Sequence, residues 1–202
     1  YQWAKRIGGF ESDNGADIAV DGNGNVYVAG YFSSIADFDP GPGSVTLFSA
    51  GAGDVFFAKF DASGNYLWAK RIGGTGNEYC SKLVLDGGGN IFLTGAFENT
   101  ADFDPGAGTA NLSSTGDLDG FFAKYDASGN YLWAKQISGT NDASVNGLAV
   151  DGSGNVYLTG DFFQTADFDP GAGTANLSSA ALSDVFIAKY NASGNYLWAK
   201  RI

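Results

Sequence analysis

Tryptophan stands at positions 3, 68, 133 and 198 of this 202-residue chain, a constant spacing of 65 residues. The stretch around it, Asp61-Ala62-Ser63-Gly64-Asn65-Tyr66-Leu67-Trp68-Ala69-Lys70-Arg71-Ile72, returns as Asp126 to Ile137 and as Asn191 to Ile202. Its second half opens the chain at Tyr1 to Ile7. A fixed period without insertion or deletion makes the chain a tandem array, in which each unit buries its apolar face on its neighbours. The units are 8–72, 73–137 and 138–202, with 1–7 a spare copy of the last segment.

Four short segments recur in each unit. In the second they are Ser81 to Asp86, Ile91 to Phe97, Gly120 to Asp126 and Tyr131 to Ile137, here A, B, C and D. Each is rich in β-branched and aromatic residues and bounded by Gly, Asn or Asp, which marks a strand. No stretch of helical length has an apolar period of 3.6, so no helix is expected. The A–B and C–D links are tight, as in Asp21-Gly22-Asn23-Gly24-Asn25 and Asp61-Ala62-Ser63-Gly64-Asn65. Asp accepts the N–H two residues on, and Gly at the fourth place supplies the positive φ of a type I turn closing in a bulge. Gly64, Gly129 and Gly194 are therefore structural. So are Trp68, Trp133 and Trp198, with 68 and 133 expected to be mostly buried between units. A three-residue loop would pair Phe60 with Tyr66, Ala58 with Trp68 and Phe56 with Lys70, the small Ala making room for the indole.

The B–C link is long and carries Ala36-Asp37-Phe38-Asp39-Pro40-Gly41, repeated at Ala101 to Gly106 and Ala166 to Gly171. A short alternating piece follows, such as Thr109-Ala110-Asn111-Leu112-Ser113, which suits an accessory hairpin. Four antiparallel strands per unit describe a β-propeller blade. The expected fold is thus all-β, with propeller-type blades over 8–72, 73–137 and 138–202. Residues 1–7 are an extra strand, the outer strand of a preceding blade. Small aliphatic strand A suits the crowded position near an axis, and strand D the outer edge. Aromatic residues on both parities of strand C, such as Phe56 and Phe57, fit a blade packed on both faces. Three blades are too few for a closed ring, which takes four to eight. The chain is expected to be an open arc of a longer array, or to associate head to tail through its end blades.

These residues carry a resemblance. The string Asp-Val-Phe-(Phe/Ile)-Ala-Lys-(Phe/Tyr)-(Asp/Asn)-Ala-Ser-Gly-Asn-Tyr-Leu-Trp-Ala-Lys, with Ala-Val-Asp-Gly-(Asn/Ser)-Gly-Asn-Val-Tyr-(Val/Leu)-(Ala/Thr)-Gly, resembles the bacterial SBBP-type β-propeller repeat. The Asp-Phe-Asp-Pro-Gly insertion is similar to a variant of that repeat in large secreted bacterial proteins. The resemblance implies a propeller and an extracellular or bacterial cell-surface setting, and no catalytic residues.

Several functions are disfavoured by composition. A net charge of −11 repels nucleic acid and anionic membrane surfaces. There is no His, and the single Cys80 excludes an intrachain disulfide or a paired-Cys metal site. No apolar run is long enough to span a bilayer, so no membrane insertion is expected. The paired carboxylates Asp37 and Asp39, Asp102 and Asp104, and Asp167 and Asp169 are candidate Ca²⁺ ligands. The competing reading has one Asp capping the Pro-Gly turn while Phe38 packs inward. A glycosidase needs two carboxylates with different environments, yet three near-identical copies point to structure. No enzyme and no cofactor are expected. Lys59, Lys124 and Lys189 are expected to pair with Asp or lie across aromatic rings.

The expected role is a structural and interaction array, whether scaffold, adhesin or filament-like assembly. Its partners would be neighbouring blades, further copies of itself, or surface glycans or proteins. The alternative is a lectin-like propeller with one weak glycan site per blade.

Overall fold

The computed structural model of the chain describes residues 2–202 and consists of strands and their links. After β1 (Gly8–Gly9), the first blade runs β2 (Asp13–Val20), β3 (Val26–Phe32), a link hairpin β4 (Ile35–Asp37) and β5 (Thr46–Phe48), then β6 (Asp54–Phe60) and β7 (Tyr66–Gly74). The second has β8 (Glu78–Leu85), β9 (Ile91–Phe97), hairpin β10 (Thr100–Asp102) and β11 (Asn111–Ser113), β12 (Asp119–Tyr125) and β13 (Tyr131–Gly139). The third is β14 (Ala143–Val150), β15 (Val156–Asp167), β16 (Asn176–Tyr190) and β17 (Tyr196–Arg201), its link hairpin merged into the long β15 and β16. Strands A, B, C and D pair antiparallel in chain order within every blade. This is the four-stranded, all-β propeller-type blade expected from the repeat.

The turns follow from their side chains. Asp61 Oδ1 accepts the N–H of Ser63 at 2.8 Å and of Asn65 at 2.9 Å, while Gly64 N–H reaches the Asp61 carbonyl at 2.9 Å. Gly64 holds φ at 76°, open to glycine at little cost. Asp21, Asp86, Asp126 and Asp151 make the same turn, and Asn191 makes it with its amide oxygen.

The C–D register differs from expectation. Phe60 faces Tyr66, but Lys59 then faces Trp68, Ala58 faces Ala69 and Phe57 faces Lys70. The pairings of Ala58 with Trp68 and Phe56 with Lys70 are therefore corrected. The cause is a bulge at Leu67, with the Tyr66 hydroxyl turned back to accept the Ala69 N–H at 3.1 Å. The other two blades shift at the same place. A one-residue slip moves a side chain to the other face of the sheet. Trp68 thus lies on the face of Phe57, ring centroids 5.7 Å apart, and not opposite a small alanine.

Blades stack through these faces. Strand A of the second and third units lies across strands A, B and C of the unit before it. Tyr27, Val55, Phe57 and Ile72 of the first blade are buried against Leu83, Leu93, Ala123 and Tyr125 of the second. Phe92, Phe122 and Ile137 meet Val156, Leu158, Ala188 and Tyr190 in the next junction. Each fully buried Val, Leu, Ile or Phe side chain among these contributes about 1.5–3 kcal/mol. Trp68 and Trp133 pack against the two junction cores and keep a minor part of their surface open to solvent.

The link hairpin does more than lean on its own blade. β10 pairs with the end of β7, Asp102 opposite Gly73 and Ala101 opposite Gly74. The same contact joins β15 to the end of β13, and β4 to β1. Strand D thus continues past Ile72 or Ile137 to tie one unit to the next by backbone hydrogen bonds. Gly74 and Gly9 are glycine because of the approach, the Thr100 and Ile35 carbonyls lying where their Cβ atoms would be.

Candidate functional site

An antiparallel meander puts its A–B and C–D turns at one end of the blade and its longer links at the other. The turn end is nearly the same in all three units. The link end holds what differs: Phe10-Glu11-Ser12, Thr75-Gly76-Asn77 and Thr140-Asn141-Asp142 before strand A, and Ser33-Ser34, Glu98-Asn99 and Phe163-Gln164 after strand B. Backbone bonds knit these links together. Ser33 N–H reaches the Ser12 carbonyl at 3.1 Å and Ser49 N–H the Ser34 carbonyl at 2.8 Å. Glu98 to Asn77 and Ser114 to Asn99 repeat them in the second blade. Ser34, Asn99 and Gln164 hold φ at 61°, 57° and 55°, a left-handed geometry in three different residues. A rigid frame therefore presents variable side chains, and Phe10, Phe48 and Leu182 stand exposed among them.

The Asp-Phe-Asp-Pro-Gly segments sit where the link hairpin meets strand D of the unit before. Asp37 Oδ1 accepts Asp39 N–H at 3.0 Å and Val45 N–H at 2.8 Å, and Asp39 Oδ1 accepts Gly41 N–H at 2.8 Å. Those backbone bonds, the Asp39 one first, hold the Asp37 carboxyl below its usual range. Asp102 with Asp104, and Asp167 with Asp169, make the same bonds. Phe38, Phe103 and Phe168 point inward and are buried. A cleft of about 360 Å³ opens beside the first loop, between Lys5, Arg6, Asp37 and Asp39. Another of about 360 Å³ lies among Lys135, Gln136, Ser138, Asp167 and Asp169. Both are polar, and no aromatic ring lines either. Among the described residues, no three acidic, His or Cys side chains converge on a common centre.

Other singled-out residues meet across the junctions. A Cβ on Gly129 would lie 3.3 Å from the Trp68 indole, and one on Gly194 would lie 3.2 Å from that of Trp133. Gly64 faces Trp3 in the same way, and Trp198 has no following glycine in the chain. Lys59 stands 3.7 Å from Asp21 and over the Tyr27 ring, and Lys124 lies 3.6 Å from Asp86 and over Phe92. Lys189 lies over Tyr157. They bind their own blades together and form no basic site.

Sequence reasoning missed a buried acidic pair. Asp54 and Glu78 are fully buried where the first two blades meet, against Gly73. Asp54 Oδ2 accepts the Ala50 N–H at 3.0 Å and is ion-paired with Arg71; Glu78 Oε2 accepts Gly74 N–H at 2.9 Å. The other oxygens, Asp54 Oδ1 and Glu78 Oε1, have no hydrogen-bond partner. Burial foremost, then the charges of Asp54 and Glu98, push the Glu78 carboxyl up to about 8, against the pull of Gly74 N–H and Arg71. Asp119 is the equivalent of Asp54, with Gln136 Nε2 at 3.1 Å where Arg71 stands in the first junction. An acidic residue at 54, 119 and 184 was the available signal.

These blades define a propeller-type repeat protein. The sequence-family model described as SBBP, a beta-propeller repeat, matches residues 2–38 and 132–161. Both matches run from strand D through A and B and end by the Asp-Phe-Asp-Pro-Gly segment at the latest, which sets that segment apart from the common repeat. Among curated proteins, an uncharacterized WD repeat-containing protein of Acanthamoeba polyphaga mimivirus is 28% identical over 227 residues, covering 97% of this chain and 16% of that protein. The regulatory protein FlaEY of Caulobacter vibrioides is 26% identical over 138 residues, covering 66% of this chain and 14% of its own. The chain spans less than a fifth of either relative's length.

Proposed function

We propose that the chain is a repeat-built interaction scaffold without catalytic residues of its own. The observation that carries this is the asymmetry of the blades: one end is nearly constant across the units, the other varies on a hydrogen-bonded frame. Positions that only shape the blade stay fixed from unit to unit, whereas binding positions diverge on a common support. The similarity to a WD repeat-containing protein and to a regulatory protein supports the same reading. The resemblance to secreted bacterial repeats supports an extracellular or cell-surface setting, with surface proteins as partners. A glycan-binding role has less support: the two clefts beside the Asp-Phe-Asp-Pro-Gly loops hold no aromatic ring, and in a cleft of about 580 Å³ between the A–B turns of the first two blades the one ring, Tyr27, is buried beneath Lys59.

Protein and glycan arrays probed with the chain and with a Phe10→Ser/Phe48→Ser/Leu182→Ser variant test the proposal. A protein ligand retained by the chain and lost by the variant supports it. Binding unaffected by the variant, or ligands that are all glycans, would overturn it. Surface labelling of source cells tests the setting.

A further inference from the structure

The two ends of the array present the two halves of the junction that the array itself makes twice. On the leading face, Ile72 and Ile137 are 2% and 0% exposed, while the equivalent Ile202 is 71% exposed. Phe57 and Phe122 are each 1% exposed, and the equivalent Ile187 is 39%. On the trailing face, Leu83 is 3% exposed and the equivalent Ile18 is 63%. The exposed residues are apolar because they are copies of junction residues, and the junction shows what covers them: the opposite face of the same unit.

The trailing face of the first blade is partly occupied already. Trp3 lies against Gly64 and donates its indole N–H to the Ala62 carbonyl at 3.1 Å, in the place Trp68 takes against Gly129. Residues 2–7 therefore stand in for strand D of a preceding unit. Strands B and C of that unit have no stand-in, and an apolar groove of about 200 Å³ remains between Trp3, Ile18, Val26, Val28 and Phe60. In the internal junctions this space takes Phe57 against Tyr125, centroids 4.7 Å apart, and Phe122 against Tyr190, 4.4 Å apart. Phe60 occupies the position of Tyr125 and Tyr190, and Ile187 that of Phe57 and Phe122.

We propose that the chain associates head to tail with a second copy. The face bearing Val185, Ile187 and Trp198 docks on the face bearing Ile18, Val26, Val28 and Phe60. Tyr196 to Ile202 of one copy takes the place of residues 2–7 of the other, from which its sequence differs only by Leu197 for Gln2. The contact is heterologous, so it closes only if the rotation completes a circle. Two copies supply six blades, within the four to eight of closed propellers. Residues 2–7 compete for the same ground and weaken the association.

Light scattering over a concentration series tests this, with fold checked by circular dichroism, since Ile18 and Ile187 are exposed in the single chain. The mass should rise from 21.0 kDa to twice that value. Ile18→Lys and Ile187→Lys should each weaken association by at least about tenfold. An equimolar mixture of the two should recover a dimer, because one intact half remains on each chain. Trp3→Ser should strengthen association by loosening the stand-in. A wild-type chain that stays at 21.0 kDa, variants that still associate, or a mixture that does not recover overturns the proposal. Association unchanged or weakened by Trp3→Ser overturns the displacement of residues 2–7.

Discussion

Trp68 of the first blade rests on Gly129 of the second, so that a Cβ on the glycine would fall 3.3 Å from the indole and 3.2 Å from Lys70 Cγ. Gly129 also holds φ at 76°, so a methyl group there meets both backbone strain and a packed junction. Gly129→Ala should therefore cost about 1–2 kcal/mol from the backbone alone, with crowding added. Gly89, at φ 79°, faces only Ala127 at 3.6 Å, and Gly89→Ala should cost the backbone part only. Urea midpoints of the two variants measure the difference, and equal midpoints would show that the Trp68 contact is slack.

Phe57 carries more of the first junction than Trp68 does. It is buried, edge-on to Trp68 and 4.7 Å from Tyr125, whereas Trp68 is partly open to solvent. Phe57→Ala should cost about 3–5 kcal/mol, and Trp68→Ala should fall below it. Ile187→Ala, at the equivalent position of the third blade, should cost under about 1 kcal/mol in dilute monomer. Chemical denaturation at low micromolar concentration gives the ranking. A larger loss for Trp68 than for Phe57 would contradict it.

Much of this fold was legible because the repeat isolates what each residue type does. Asp and Gly at the tight links gave turns that the structure reproduces bond for bond, and strand B was read to the residue as Ile91 to Phe97. The C–D register was not legible. The rule that a small residue faces a large one favoured Ala58 across from Trp68. The bulge at Leu67 comes with a hydrogen bond from the Ala69 N–H to the Tyr66 hydroxyl, which no pairwise size argument contains. The acidic pair was hidden for another reason. Asp54 and Glu78 come from different units, and Glu78 is replaced by Ala143 and Asp13 in the other two. Comparison of repeats shows what is common, whereas this junction is unusual. The meeting of Trp68 with Gly129 was half legible, both residues being marked by the period but not their contact.

Calcium should not be needed for folding. Asp37 Oδ1 already accepts two backbone N–H groups and Asp39 Oδ1 a third, in three equivalent loops. The melting temperature should be unchanged by EDTA and by added Ca²⁺. If EDTA lowers it and Ca²⁺ restores it, the free oxygens of Asp37 and Asp39, or of Asp102, Asp104, Asp167 and Asp169, hold the ion.

Stability should pass through a maximum in mildly acid solution, and Glu78 should set its alkaline side. The Glu78 carboxyl is pushed up to about 8 in the folded chain, against 4.5 for an ordinary glutamate. Between those values the folded state binds more protons than the unfolded state. The stability this group contributes is thus full below about pH 4.5 and falls as pH rises towards 8. The groups facing it are Asp54, Glu98 and Arg71, and the two acids deepen the loss. The turn aspartates act in the opposite sense. Asp21 and Asp151 are held below their usual range foremost by the side chains of Asn25 and Asn155, and Asp61 by the backbone N–H of Asn65. Their contribution is present above the usual carboxylate value and is lost as pH falls below it. Glu78→Gln removes the ionisable group but keeps an acceptor for Gly74 N–H. The variant should match the wild type near pH 5 and exceed it at pH 8.5. The wild-type slope between those limits is at most about 1.4 kcal/mol per pH unit from this one group. Urea titrations at the two pH values measure both chains. A Glu78→Gln variant that keeps the wild-type loss at pH 8.5 would show that the alkaline decline comes from Asp119, whose carboxyl is also raised by burial, or from the general acidic charge of the chain, and not from Glu78.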